Sequence, residues 1–264
     1  MKRILLILTV IVLVSTSCKK DTPTATDITV NFTHTVDGSD LIANSMIYTN
    51  AAGEDYSVQT LKYLISDITL YPEDGSWGSG LVLKDIHFID ISDESTFSFT
   101  YNDVPNNNYT ALQYTMGLVN DSTNETDYYV QEPFHATMAW PNIDGNNNFN
   151  GGYHFMKLEG AYNNDTTKYN THTGGRQITG NPNGPPYSFH NQHGISLSVN
   201  DDLGHVDIHI NMEINNWYQT PNQIAFSTYF QGGIMANHTI QEDLEENGKT
   251  DVFSIRDSSW PINK

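Results

Sequence analysis

Cysteine is almost missing: the 264 residues contain one, Cys18. A single cysteine excludes internal disulfides and thiolate metal clusters. Basic residues are scarce as well, 12 against 31 acidic ones, for a formal net charge of −19. A surface of that sign repels nucleic acid, so no nucleic-acid partner is expected, and it raises the local concentration of cations. Long apolar runs are confined to one place, Ile4 to Val14, and that run is too short to cross a bilayer as a helix. Signatures of catalysis are also lacking. There is no glycine-rich phosphate cradle, no Gly-x-Ser-x-Gly elbow and no His-Glu-x-x-His helix, and the chain reads as a non-enzyme.

What is present begins with that apolar run. It follows Met1-Lys2-Arg3 and precedes Ser15-Thr16-Ser17-Cys18. A basic start, a short apolar core and small residues before a cleavage point describe a secretory signal. The small residues end on the cysteine, which looks like a bacterial lipoprotein signal with Cys18 as the lipidated first residue. The alternative is ordinary cleavage nearby with a stray thiol. The expected organisation is a signal over 1–17, a flexible polar tether over 18–27, and one β domain over 28–264. That places the protein in the bacterial cell envelope, on the outer membrane if the cell is Gram-negative, facing the periplasm or the surface. With Lys2 and Arg3 removed, the net charge becomes −21. Without disulfides, the domain has to stand on its hydrophobic core.

From Ile28 onward the dominant signal is alternation with period two. Ile28, Val30, Phe32 and His34 share one face; Leu112, Tyr114, Met116 and Leu118 repeat the pattern, as do Val206, Ile208, Ile210, Met212 and Ile214. Turn-forming clusters such as Asp37-Gly38 and Asn183-Gly184-Pro185-Pro186 punctuate these runs. The fold class this predicts is all-β, an antiparallel β-sandwich or barrel-like domain with one short C-terminal helix. Thr239-Ile240-Gln241-Glu242 has the spacing of a capping box for that helix, and Asn247-Gly248 supplies its stop.

Ten histidines are a rich supply. His34 falls on the apolar face of the first strand, where each ring nitrogen needs a partner or a metal. His154, read as part of a strand Tyr153 to Gly160, shares a face with Met156 and Leu158 and is expected to point inward. His172 lies in a Gly- and Thr-rich turn. Two imidazoles from separate elements can clamp a borderline or soft ion. Met138 and Met156 are near in sequence, but methionine in a β core is usually filler. His190 and His193 could join such a site. The row His205, Asp207, His209 shares one strand face but reads as the solvent side of the sheet. Asp144 to Asn150 begins like a calcium loop and then departs from that pattern.

The strings Met138-Ala139-Trp140-Pro141, Gly152-Tyr153-His154-Phe155-Met156-Lys157-Leu158-Glu159-Gly160 and Thr171-His172-Thr173-Gly174 resemble the core motif of the MbnP-like copper-binding proteins. Phe32 to Gly38 and Leu64 to Ile68 are similar to that family's early strands, and Asn215 to Tyr218 and Gly248 to Ile255 resemble its closing region. The resemblance implies an exported β-rich protein that binds copper, Cu(I) or Cu(II), for capture, storage or delivery. In some members two histidines and a tryptophan oxidised to kynurenine hold the metal, with a dihaem peroxidase-like partner performing the oxidation. Carried over, His154 and His172 are the preferred ligands, His34 a third candidate, and Trp140 the residue that would become kynurenine. Two other readings stand beside it: a metal-free cell-surface binding or adhesion module using exposed Tyr and Trp, and, ranked last, a metal-dependent enzyme.

Overall fold

The computed structural model describes residues 25–73, 80–118, 127–140, 152–174, 189–199, 204–230, 234–235 and 237–257. The signal, Cys18, the Asn183–Pro186 turn, the Asp144–Asn150 segment and the side chains of His190 and His193 lie outside the described residues. The elements in chain order are β1 (Thr26–Val36), β2 (Ser39–Asp40), β3 (Tyr48–Thr49), β4 (Asp55–Pro72), β5 (Leu81–Asp90), β6 (Ser98–Val104), β7 (Asn107–Met116), α1 (His135–Met138), β8 (His154–Tyr162), β9 (Thr167–Gly174), β10 (Phe189–Val199), β11 (His205–Glu213), α2 (Phe226–Tyr229), α3 (His238–Gly248) and β12 (Phe253–Asp257).

The strands form two sheets, as the alternation predicts. The first has the order β12-β11-β1-β2, with β6 also on β1; the second has the order β10-β7-β4-β8-β9, with β3 and β5 on β4. Among the described strands the pairings are antiparallel except one: β1 runs parallel to β11, from Asp27 beside His205 to Thr35 beside Glu213. The expected solvent side of β11 bears this out at its start, where His205 and Asp207 are roughly half exposed. Further along the same face, Asn211 is buried, accepting from the Thr33 hydroxyl and donating to Thr35 Oγ1.

The main core fills the space between the sheets. Ile28, Val30, Phe32, Ile208, Ile210 and Met212 come from one side, and Tyr56, Leu61, Tyr63, Tyr114, Met156 and Leu158 from the other. Burying each such side chain contributes about 1.5–3 kcal/mol. The tyrosines keep their hydroxyls satisfied within it: Tyr56 donates to Asn215 Oδ1 at 2.8 Å, and Tyr169 to the Ser57 carbonyl at 3.0 Å. The Asp37-Gly38 turn works because both residues take positive φ, 50° and 76°, which glycine allows freely and aspartate tolerates. Both backbone N–H groups of that turn donate to the Glu213 carboxylate.

Strand β4 positions the site. Its partner on one edge is β5; on the other edge β8 and then β7 follow in succession, Tyr63 pairing with Met156 and Ile65 with Met116. Where β8 and β7 part, around Leu64, a second, smaller hydrophobic cluster forms: Leu64, Leu118, Phe134, Met138, Tyr153 and Phe155. The segment carrying α1 packs there and is tied down by Tyr153. The Tyr153 hydroxyl accepts from the Tyr129 N–H at 2.9 Å and lies 2.8 Å from His135 Nδ1.

The helix prediction needs one correction. Helix α3 starts at His238, so Thr239 is already inside it. Asn237 is the cap, its side chain accepting from Ile240 N–H at 3.3 Å. Asparagine at this position satisfies an exposed donor of the first turn as well as threonine would, so the spacing alone could not choose between them. Two four-residue helices, α1 and α2, carry no sequence signal of helical periodicity.

Candidate metal centre

Strands β8 and β9 form an antiparallel ladder, Lys157 opposite His172 and Leu158 opposite Thr171. On simple alternation His154 would follow Met156 into the main core. The register instead shifts between His154 and Met156, so that His154 stands opposite Gly174 and Met156 opposite Thr173. An irregularity of this kind re-aims a side chain. His154 is buried, as expected, but its contacts are with Met138, Trp140 and His172.

The two imidazoles meet. Their ring centroids are 4.9 Å apart with the planes at 89°. The Trp140 ring also packs against His154, 4.6 Å from its centroid and tilted by 51°. Trp140 is only 3% exposed. It is brought there by the chain leaving α1: Ala139 bridges to Tyr153, and the Trp140 N–H donates to the Gly152 carbonyl at 2.8 Å. Gly174 permits this approach, since a Cβ at that position would stand 2.5 Å from Trp140 Cζ3.

The hydrogen bonds define which nitrogen of each ring carries the proton. His154 Nδ1 is 3.2 Å from the Met138 carbonyl oxygen, which can only accept. Its Nε2 is therefore the bare lone pair, and that atom is buried with no hydrogen-bond partner. His172 Nε2 donates to Glu159 Oε1 at 2.6 Å, and its Nδ1 faces the sulfur of Met235 at 3.4 Å. The Gln241 side chain, from α3, donates to the His172 carbonyl at 2.7 Å and to the Ile234 carbonyl at 3.3 Å, tying the Met235 segment to β9.

Electrostatics keep His154 neutral. Burial, with the neighbouring His172 adding to it, pushes its pKa down from 6.5 to about 3. Glu159 is held below the usual carboxylate range, first by its hydrogen bond from His172 and against the opposing effect of burial. The neutral imidazole is the form that binds a metal.

His34 is not brought to this pair. It lies between the sheets, its Nε2 3.0 Å from the Tyr63 hydroxyl and its ring edge-on to Tyr63 and Phe97. Among the described residues no group of three or more His, Cys, Asp and Glu side chains is arranged to hold a metal. The groups in contact are two imidazoles, with ring centroids 4.9 Å apart, and a thioether 3.4 Å from one of them. Met138 and Met156, the methionines close to the histidines in sequence, are fully buried in the two hydrophobic clusters. Met235 and Glu159 were not among the expected site residues. Glu159 could have been found from its place on the same strand face as Lys157; Met235 could not, because no local pattern links it to residue 172.

A family model for MbnP matches residues 25–237, a span that contains Trp140, His154, His172 and Met235. The chain belongs to the MbnP family. Its fold is similar to that of MbnP from Methylosinus trichosporium, with a TM-score of 0.56 and 12% identity, covering 88% of this chain and 99% of that one. At that identity the likeness is one of fold, and it agrees with the two-sheet architecture described above. No curated protein matches the chain.

Proposed function

We propose that this MbnP-family protein binds copper through His154 and His172 as cargo for capture, storage or delivery in the bacterial cell envelope. The observation that carries the reading is the Nε2 atom of His154, a lone pair buried without a hydrogen-bond partner beside a second imidazole. A buried acceptor left unpaired costs about 1–3 kcal/mol, and a bound metal ion would remove that cost. The association of the MbnP family with copper supports the choice of ion, as does the borderline-to-soft character of imidazole donors.

Each neighbour has a part in holding such an ion. The Met138 carbonyl fixes the tautomer of His154, and Glu159 fixes that of His172, as carboxylates commonly do for ligating histidines. Gln241 holds the His172 main chain. Trp140 covers His154 and excludes water. The strongly acidic surface concentrates cations around the protein. Of the fifteen tyrosines a metal-free adhesion surface could use, nine are buried, Tyr56, Tyr63, Tyr114, Tyr153, Tyr169 and Tyr218 among them, while Tyr128 is exposed.

Two finer features belong to this reading. Trp140 is the residue that a dihaem peroxidase-like partner would oxidise to kynurenine, which would leave an aryl amine beside His154. Cys18 would carry the lipid that keeps the protein at the membrane. Among the described residues no helix is long and apolar enough to cross a bilayer.

The test is titration of the apo protein with Cu(I) and Cu(II), alongside a variant carrying both His154→Ala and His172→Ala. Tight binding by the parent and its loss in the variant is the expected result; equal affinity in both removes these histidines from the site. Peptide mass analysis of protein from its native host reads the states of Trp140 and Cys18 in the same sample. An unshifted Trp140 peptide and an unlipidated Cys18 would end those two assignments.

A further inference from the structure

We infer that the thioether of Met235 is a third copper donor, and that it makes the site prefer Cu(I) to Cu(II) and to Zn(II). The inference rests on the copper reading above and adds to it a ligand and an oxidation state.

The placement of protons leaves donor atoms bare. Glu159 is a carboxylate and only accepts, so the proton of a neutral His172 sits on Nε2, toward Glu159 Oε1. That leaves Nδ1 as a bare lone pair. The atom it faces, Met235 Sδ at 3.4 Å, carries no proton either. Two lone pairs therefore point at each other with nothing between them to bond. The ring 4.9 Å away, His154, has its own bare lone pair on Nε2, buried and unpartnered, because its Nδ1 proton is committed to the Met138 carbonyl. Three unprotonated donors, two nitrogens and one sulfur, thus belong to one contact group that offers them no proton. A cation satisfies all three together.

The chemistry of the donors selects the cation. Thioether sulfur is soft and favours Cu(I), whereas carboxylate and carbonyl oxygen favour hard ions. Cu(I) tolerates few ligands and needs no charged one. Among the described residues the carboxylate hydrogen-bonded to the pair, Glu159, is on the far nitrogen of His172. The placement of Met235 is also constrained. Gln241 bridges the carbonyls of His172 and Ile234, so the residue next to Ile234 is held against β9 by a buried amide. An accidental surface methionine would have no such tie.

The competing account of the same geometry is a charged His172 donating Nδ1–H to a weak sulfur acceptor, with no role for Met235 in metal binding. The two are separated by Met235→Leu, which keeps the volume and removes the sulfur. Cu(I) affinity is measured against a chromophoric Cu(I) chelator, Zn(II) affinity in parallel, and the copper environment by X-ray absorption. The expected result is a sulfur neighbour of copper in the parent protein that is absent in the variant. Cu(I) binding should weaken by about tenfold or more, the lower end of the loss from removing even an outer partner of a metal site, with Zn(II) binding unchanged. Selenomethionine-labelled parent protein gives a second readout without mutation: selenium replaces sulfur beside copper, and Met235→Leu in the labelled protein abolishes it. Copper bound with no sulfur or selenium neighbour, and with equal affinity in Met235→Leu, overturns the inference while leaving the histidine site standing. A parent protein that takes up no copper in either oxidation state overturns both.

Discussion

His34 and His154 live under nearly the same physical pressure in two different regions. Both are buried, 8% and 4% exposed, and burial lowers both rings, from 6.5 to about 4 and about 3. His34 sits between the sheets, where the Tyr63 hydroxyl meets its Nε2 and aromatic edges close the rest. His154 sits at the start of β8 beside the edge strand β9, where one nitrogen is satisfied by the Met138 carbonyl and the other is left bare beside another imidazole. Burial by itself makes a histidine neutral, which is necessary for a ligand but common to any core histidine. A lone pair left bare beside a second imidazole is what distinguishes His154 from His34.

Copper affinity should tell the two histidines apart. His154→Ala should lower copper affinity by roughly a hundredfold or more, beyond the ~10–100-fold typical of outer partners, whereas His34→Gln should leave it unchanged. A chelator competition assay on the two single variants decides this, and equal losses would erase the distinction.

Acid sharpens the other half. A folded chain that keeps His34 neutral binds fewer protons than the unfolded chain once pH falls below 6.5. Stability from this ring is complete above that value and is lost as pH falls toward about 4. In His34→Gln the slope of unfolding free energy against pH over that window should be shallower by up to about 1.4 kcal/mol per pH unit, read from denaturant melts at several pH values. An unchanged slope would mean that the ring is not held neutral.

The smallest effect concerns packing around His154. Gly174→Ala places a methyl 2.5 Å from the Trp140 ring, and overpacking of this kind costs about 1–3 kcal/mol. Denaturant unfolding should show that loss, together with weaker copper binding as Trp140 is displaced from His154. A neutral substitution would show that the ring is free to give way.

Much of this was legible from residue order. The alternations Ile28 to His34 and Val206 to Ile214 are strand faces that the structure turns inward, and the Asp37-Gly38 turn is where it was expected. His154 and His172 were singled out together and do touch. What alternation could not show is a departure from itself. It sent His154 to the same side as Met156, and the register shift between them cancels that assignment. The family resemblance groups His34 with the pair, whereas its place on an apolar face fits the hydroxyl partner it has, Tyr63, 29 residues away. Met235 is joined to His172 across 63 residues by a fold that ties α3 to β9. Contacts of that range leave no periodic trace, whereas the methionines that sequence proximity offered, Met138 and Met156, are spent on packing.

The lone parallel pair has a temporal consequence. Thr35 stands beside Glu213, 178 residues further along, and β6 and β2 occupy the opposite edge of the same strand. The strand synthesised earliest in the domain thus waits for almost the last, and pairings of such long reach form slowly. A polypeptide emerging from its N-terminus would carry that edge of β1 open until β11 had followed, and stopping short of residue 205 would leave it open for good.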